Sequence, residues 1–377
     1  MILMSFGKLY KRLLNKNMNK IDQLFEALIS QNGSDLHLEE GQKPKLRIYG
    51  KLVEIGNELL TRERMIDLLS PITPSEDWQR FETNGDLDFA YAWGQQARFR
   101  ANYFRHFFGL GAVFRVIPSQ IRSIEELDLP AHIKNFAKWH SGLVLVTGPT
   151  GSGKSTTLAA IIDYINTHFA HKINTIEDPV EFTHSNKKSV ISHREVGKDT
   201  LSFASGLRTA IKSDANIILV GEMRDRETME LALTASEMGI LVFGTLHTNS
   251  AAKTIDRIID TFPPNRKNQI RTVLANSLKA IIAQQLLPSA DKTRRWAAYE
   301  ILIRNQALGN IIQTGESIRL TSEIQTNRGL GMILMDDSLM ELVNAKKVTK
   351  EDAFLKAIEK SRFAESSNPL TNSTQGA

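Results

Sequence analysis

A chain of 377 residues has room for two or three domains and a substantial core. Its 47 basic and 42 acidic residues give a formal net charge of +5, which permits acidic partners such as phosphates or a membrane surface without requiring them. The absence of cysteine excludes disulfides and cysteine-ligated zinc, and it fits a reducing compartment.

The opening MILMSFGKLYKRLLNKNMNK is basic but lacks a long apolar segment, so a signal peptide is not expected. Residues 1–17 read as an N-terminal extension, either a short basic amphipathic helix lying on a membrane or a dispensable stretch before Met18. No apolar run approaches the roughly 20 residues of a spanning helix. From Ile21, IDQLFEALI predicts a helix and NGSDLHLEE a turn and strand. PKLRIYGKLVEI, with Leu46, Ile48 and Leu52 at even spacing, predicts strand, turn, strand. Asp86 to Pro118 reads as an antiparallel meander broken at Gly94 and at Gly109 to Gly111. These elements make a mixed α+β domain over 18–118, followed by a linker at 119–123.

From Ile124 short apolar strands alternate with helices: GLVLVTG, a helix from Lys154, then INTIED, NIILVGE and LVFGTLH. The alternation predicts an α/β domain over 124–299, its mostly parallel sheet covered by helices on both faces. A helix is expected from Arg266 to Leu287, with Val273, Leu274, Ile281 and Ile282 on one stripe. Residues 300–364 read as a helical C-terminal region, and the polar tail 365–377 as disordered.

The strongest chemical signal is GPTGSGKSTT, which has P-loop spacing between an apolar strand and a helix. Its residues Gly148, Pro149, Thr150, Gly151, Ser152, Gly153, Lys154, Ser155 and Thr156 are expected to hold the phosphates of ATP. The backbone N–H groups and the helix N-terminus supply positive potential. Lys154 would reach the β- and γ-phosphates, and the Ser155 hydroxyl would bind Mg²⁺.

Three further constellations follow. TIEDPVEF places Glu177, Asp178 and Glu181 just past a strand end, on the side where such folds bind ligands. Glu177 and Asp178 are candidates to hold Mg²⁺ through waters, and Glu181 to assist hydrolysis; a solvated acidic loop is the other reading. NIILVGEMRD is Walker-B-like, with Gly221 where many P-loop proteins place an aspartate, so Glu222 is the candidate for polarising water. Within ARFRANYF the strand period puts Arg98, Arg100 and Asn102 on one face, and Arg115 is expected to join them. Such a cluster fits arginine fingers, a solvated strand face, or a basic-aromatic nucleic-acid patch. His247, in GTLHTNSA, alone fits an ordinary strand-end histidine; beside these motifs it is a candidate donor to the γ-phosphate or its water.

Together these strings, with SDLHL, AVFRVIPS and REVGKDTLSFA, resemble the secretion-ATPase superfamily and, within it, the PilT-type twitching-motility ATPases. The resemblance runs from about Met18 to Phe363. It implies a PAS-like first domain, a RecA-like P-loop ATPase domain and a hexameric ring. It assigns Lys154 and Ser155 to phosphate and Mg²⁺, Glu222 to water activation and Glu181 to a supporting role. It assigns His247 to coupling nucleotide state to motion, and Arg98, Arg100 and Arg115 to closing over the nucleotide.

One departure is ALGNIIQT, Ala307 to Thr314, where such ATPases carry AIRNLIRE, a motif associated with retraction. Leu308, Ile311 and Ile312 keep the apolar positions, while Gly309, Gln313 and Thr314 replace both arginines and the final glutamate. Another is IKSDAN, Ile211 to Asn216, in place of LREDPD.

The expected function is a Mg-dependent hexameric ATPase driving type IV pilus retraction. Its expected partners are copies of itself, an inner-membrane platform protein and other pilus ATPases, at the cytoplasmic face of the inner membrane. The alternatives are a paralogous accessory retraction or secretion ATPase, and a RecA-like nucleic-acid motor; no nucleic-acid partner is expected. The short first domain and zero cysteines argue against an extension ATPase with a tetracysteine zinc site.

Overall fold

The computed structural model describes residues 20–364 apart from 49, 95, 118 and 119. The extension at 1–17, the tail at 365–377 and the Pro118 boundary lie outside the described residues. The chain forms two compact units, one up to Gln120 and one from Ile121.

In the first unit, β1 (Asp35–Glu39), β2 (Lys45–Ile48), β3 (Lys51–Glu54), β4 (Asp86–Trp93), β5 (Ala97–His106) and β6 (Gly109–Ile117) form one sheet. Its order is β3-β2-β1-β6-β5-β4, with every neighbouring pair antiparallel. Alternation along β5 explains why one face is a core: Phe99, Ala101 and Tyr103 are buried while Arg100 is exposed. Helices α1 (Asp22–Ser30), α2 (Arg62–Leu69) and α3 (Ser75–Asn84) contribute to that core. Phe25 of α1 stacks on Phe99 with ring centres 4.2 Å apart and meets Phe114 edge-on at 5.1 Å. The break expected at Gly109 to Gly111 falls earlier. Phe107 and Phe108 make the turn, and both glycines lie inside β6. Gly111 is there to make room across the ladder, because a Cβ on it would lie 2.3 Å from the Phe104 ring opposite.

The second unit is built on β7 (Gly142–Thr147), β8 (Lys172–Glu177), β9 (Val190–Glu195), β10 (Ile217–Val220), β11 (Leu241–Leu246), β12 (Leu278–Pro288) and β13 (Arg295–Ile303). The order is β13-β12-β7-β11-β10-β8-β9, parallel throughout except for the β12–β13 pair. Strand β7 is buried along its whole length, with Leu143 and Leu145 in one apolar cluster and Val144 and Val146 in another. Helix α4 (Lys154–His168) covers the second cluster. Helices α5 (Phe203–Lys212), α6 (Arg226–Glu237), α7 (Ala251–Asp260) and α8 (Lys267–Ser277) cover the first. Both faces being dry is what makes the strands read as unbroken apolar runs.

The helix expected from Arg266 to Leu287 is corrected. Helix α8 stops at Ser277, and Leu278 to Pro288 is a strand between β7 and β13. Ile281 packs into one face cluster and Ile282 into the other, so the two isoleucines point opposite ways instead of sharing a stripe. An apolar run buried on both sides carries no period that separates strand from helix. Strand β13 likewise continues to Ile303, so the helical region starts at Gln306. It comprises α9 (Gln306–Thr314), α10 (Leu320–Thr326), α11 (Met335–Asn344) and α12 (Lys350–Lys356). Among the described residues no helix is long and apolar enough to cross a membrane.

Helix α9 carries the ALGNIIQT departure. Its N-cap Asn305 side chain accepts from the Leu308 N–H at 2.9 Å, and Leu308, Ile311 and Ile312 are buried. Gly309 lies mid-helix, and a Cβ there would meet the Ala275 carbonyl oxygen at an ordinary 3.7 Å. Gly309→Ala is therefore expected to stabilise the second unit by about 0.5–1 kcal/mol, read as a raised unfolding midpoint in denaturant.

Candidate functional site

Three parallel strands bring the motifs to one edge of the second unit's sheet. Thr147 at the end of β7 pairs with Leu246 of β11, and Gly244 of β11 pairs with Val220 of β10. The P-loop, the Gly221–Glu222 turn and the His247 loop therefore leave the sheet side by side, at its carboxyl edge.

Two glycines of the P-loop are required by its shape. Gly148 has φ +146°, and a Cβ on it would lie 2.3 Å from the Gln284 carbonyl oxygen. Gly153, at φ +89°, caps α4 in the left-handed region, where a Cβ would lie 2.8 Å from the Gln284 amide nitrogen. The next residue, Lys154, turns back over the loop and donates to the carbonyls of Gly148 at 2.9 Å and Pro149 at 3.2 Å. Burial pulls the Lys154 ammonium pKa down, opposed by the carboxylates of Glu222 and Glu181.

Glu222 is the best-held carboxylate. Its Oε1 lies 2.9 Å from His247 Nε2 and also receives Arg224 Nε. Burial pushes its carboxyl up, but the Arg224 hydrogen bond and the charges of His247 and Arg224 outweigh it, so its pKa falls below the usual value. Thr245 fixes the backbone beside it by donating to the Gly221 carbonyl.

Ser155 and Glu177 line one small cavity together with Phe182, His184, Gly221 and Thr245. A hydroxyl and a carboxylate are hard oxygen donors of the kind Mg²⁺ takes, with waters and phosphate oxygens completing its shell. Among the described residues no three His, Asp or Glu side chains assemble into a metal cage, so any ion here depends on the nucleotide's own oxygens. The Glu181 N–H donates to Glu177 at 3.4 Å. Asp178 is exposed, lies outside the cavity lining and acts electrostatically on Arg224.

The three arginines belong to the polar face of the first unit's sheet. Arg100 pairs in register with Arg115, and Arg98 lies two residues along the same strand. Arg115 Nε donates to the buried Asp35 carboxylate at 2.8 Å, and Arg100 approaches Asp88 at 3.9 Å. Asp35 also accepts from the Ser34 hydroxyl at 2.7 Å and has Arg47 at 3.7 Å. Burial pushes its carboxyl up, but the Ser34 hydroxyl, Arg115 and the charge of His37 outweigh it and hold it below the usual value.

The family described as Type II/IV secretion system protein matches residues 14–362. The chain belongs to this family. The "Type IV pilus retractation ATPase PilT" of Pseudomonas aeruginosa is 45% identical over 337 residues, covering 89% of this chain and 98% of that protein. The "Twitching motility protein" of Neisseria gonorrhoeae is 46% identical over 310 residues, covering 82% of this chain and 83% of that one. The crystal structure of the pilus retraction motor PilT with bound ADP is similar with a TM-score of 0.85 and 41% identity, covering 91% of this chain and 98% of that one.

Three supporting residues of this secretion-family chain have roles that their motifs alone do not reveal. Asp35 anchors Arg115, as described above. Glu195 on β9 accepts from the Val180 N–H at 3.1 Å and so fixes the acidic loop. Gln284 on β12 accepts from the buried Thr157 hydroxyl at 2.7 Å, tying the first turn of α4 to β12. A signal for the last was present: two glutamines inside the apolar run IIAQQLLP require buried partners. Gln284→Leu, which leaves the Thr157 hydroxyl unpaired, is expected to cost about 1–3 kcal/mol in a denaturation midpoint. Adding Thr157→Val should recover most of that loss.

Proposed function

We propose that the chain is an ATP-hydrolysing motor that retracts type IV pili. The observation that carries this reading is the 2.9 Å contact of His247 with Glu222 on strand ends adjacent to the P-loop and its Lys154. The relatives' names, pilus retractation ATPase and twitching motility protein, supply the direction of the work.

In this reading the P-loop amides from Gly148 to Thr156 and the Lys154 ammonium bind the β- and γ-phosphates. The Ser155 hydroxyl and Glu177, with Asp178 at longer range through water, would hold Mg²⁺, which when bound neutralises phosphate charge. Glu222, held below the usual carboxylate pKa by Arg224 and its contact with His247, accepts a hydrogen bond from water and aims the oxygen at the γ-phosphorus. Glu181 keeps Lys154 charged. His247 bridges Glu222 and the γ-phosphate, so its position depends on whether that phosphate is present. Arg98, Arg100 and Arg115 serve as finger candidates that neutralise charge in the transition state, and Asp35 fixes the angle of the last.

The hydrolysis cycle then works as a change of subunit geometry in a homo-hexameric ring. The ring acts at the inner face of the inner membrane on a platform protein that receives withdrawn pilin, alongside other pilus ATPases. Helix α9 keeps its buried apolar side in this role despite losing the charged positions of the related motif.

Purified Lys154→Ala is expected to lose productive ATP binding. Glu222→Gln, which keeps shape and removes the charge, is expected to bind ATP within about threefold of wild type and to lower kcat by about 10²-fold or more. Nucleotide titration and phosphate release separate the two effects, and wild-type turnover in Glu222→Gln would remove Glu222 from the reaction.

A further inference from the structure

The buried polar groups of the second unit include one carboxylate that the hydrolysis scheme does not use. Glu300 lies on β13, opposite Ala283 of β12, and is 4% exposed. Its Oε1 accepts from the Ala251 N–H, the first residue of α7, at 2.7 Å. The backbone amide of Met335, the first residue of α11, also acts on its carboxyl electrostatically. Burial pushes the Glu300 pKa up, these two amides pull it down, and the charge acting on it is the Asp336 carboxylate. The carboxylate therefore holds the start of α7, where the helix's partial positive end favours an acceptor.

Each helix leads somewhere definite. On the α7 side, the residues between His247 and Ala251 are tied into one body. The Thr248 and Thr254 hydroxyls lie 2.6 Å apart, and Thr254 Oγ1 donates to the Ser250 carbonyl at 2.7 Å. The Ser250 side chain accepts from the Lys253 N–H at 3.3 Å. A displacement at the N-terminus of α7 is thus passed along this hydrogen-bonded turn to His247 and its 2.9 Å contact with Glu222. On the α11 side, Ser338 accepts from the Tyr299 N–H at 3.0 Å. Ile301 and Ile333 exchange backbone hydrogen bonds of 2.8 and 3.2 Å. Asp336 accepts from the N–H groups of Ile358 at 2.8 Å and Glu359 at 2.7 Å.

We infer that Glu300 is a positioning residue for His247, and that it links the His247 loop to the C-terminal helices. It touches no substrate. It sets where the start of α7, and hence the imidazole, stands relative to Glu222. The inference rests on the ATPase reading above and on His247 acting beside Glu222.

The test uses the full chain: wild type, E300Q, H247A, the H247A/E300Q double variant and T254V. Steady-state ATP hydrolysis, binding of a non-hydrolysable ATP analogue and thermal unfolding are measured for each. Glutamine fits the space but removes the charge and can turn its amide nitrogen toward the Ala251 N–H, which needs an acceptor. E300Q should lower kcat about tenfold or more, because a misplacement of about 1 Å is that costly, with KM within about threefold. In the H247A background the same change should cost less than about twofold, since the group it positions is gone. T254V leaves Glu300 in place and breaks the turn's own link, and the same kcat-selective loss is expected; this variant decides the matter if E300Q does not fold. Wild-type kcat in a folded E300Q, or in T254V where E300Q fails to fold, overturns the inference. So does an equal fold-loss in both backgrounds, which marks Glu300 as structural only. H247A at full activity removes the group being positioned, and a wild-type chain without ATP turnover sinks the ATPase reading itself.

Discussion

The site depends first on the parallel register of β7, β11 and β10. Thr147 stands beside Leu246, and Gly244 beside Val220, so three loops of unrelated sequence start within one or two strand spacings of each other. The register is possible because the three strands are apolar and buried on both faces, β7 and β11 along their whole length. A polar break in any of them would expose a face that α4 or the α5 to α8 layer must cover. Hydrophobic burial thus sets the geometry of the sheet, and the polar chemistry occupies the edge that this geometry leaves open.

At that edge, electrostatics decides which carboxylate stays charged. Glu222 is largely buried yet has its pKa lowered, because Arg224 and His247 both act on it. Glu300 is more deeply buried, has only backbone donors, and has its pKa raised. Two glutamates in one unit are therefore set to opposite behaviour by their burial and their neighbours. The first suits a group that meets water and phosphate; the second suits a fixed acceptor at the start of α7.

Much of this was readable from residues close in sequence. The P-loop, the acidic TIEDPVEF stretch and the end of NIILVGE each fit within ten residues and lie on elements that their own patterns announce. The strand period placed Arg98 and Arg100 opposite Phe99, and the first unit shows that alternation. What remained hidden was non-local. Gln284 matters because β12 passes beside Gly148, and β12 itself was read as helix because a doubly buried strand has no polar face. Asp35 and Glu300 matter through partners 80 and 49 residues away in sequence, distances over which periodicity carries no information.

The central claim is that ATP hydrolysis by this chain shortens pili. Deleting the gene from a piliated strain and imaging both surface pili and surface movement tests it most directly. The account predicts that cells keep long pili and lose twitching, with both restored by the wild-type gene and not by a Glu222→Gln copy. Cells that become bald, or that twitch as before with normal pili, would contradict it.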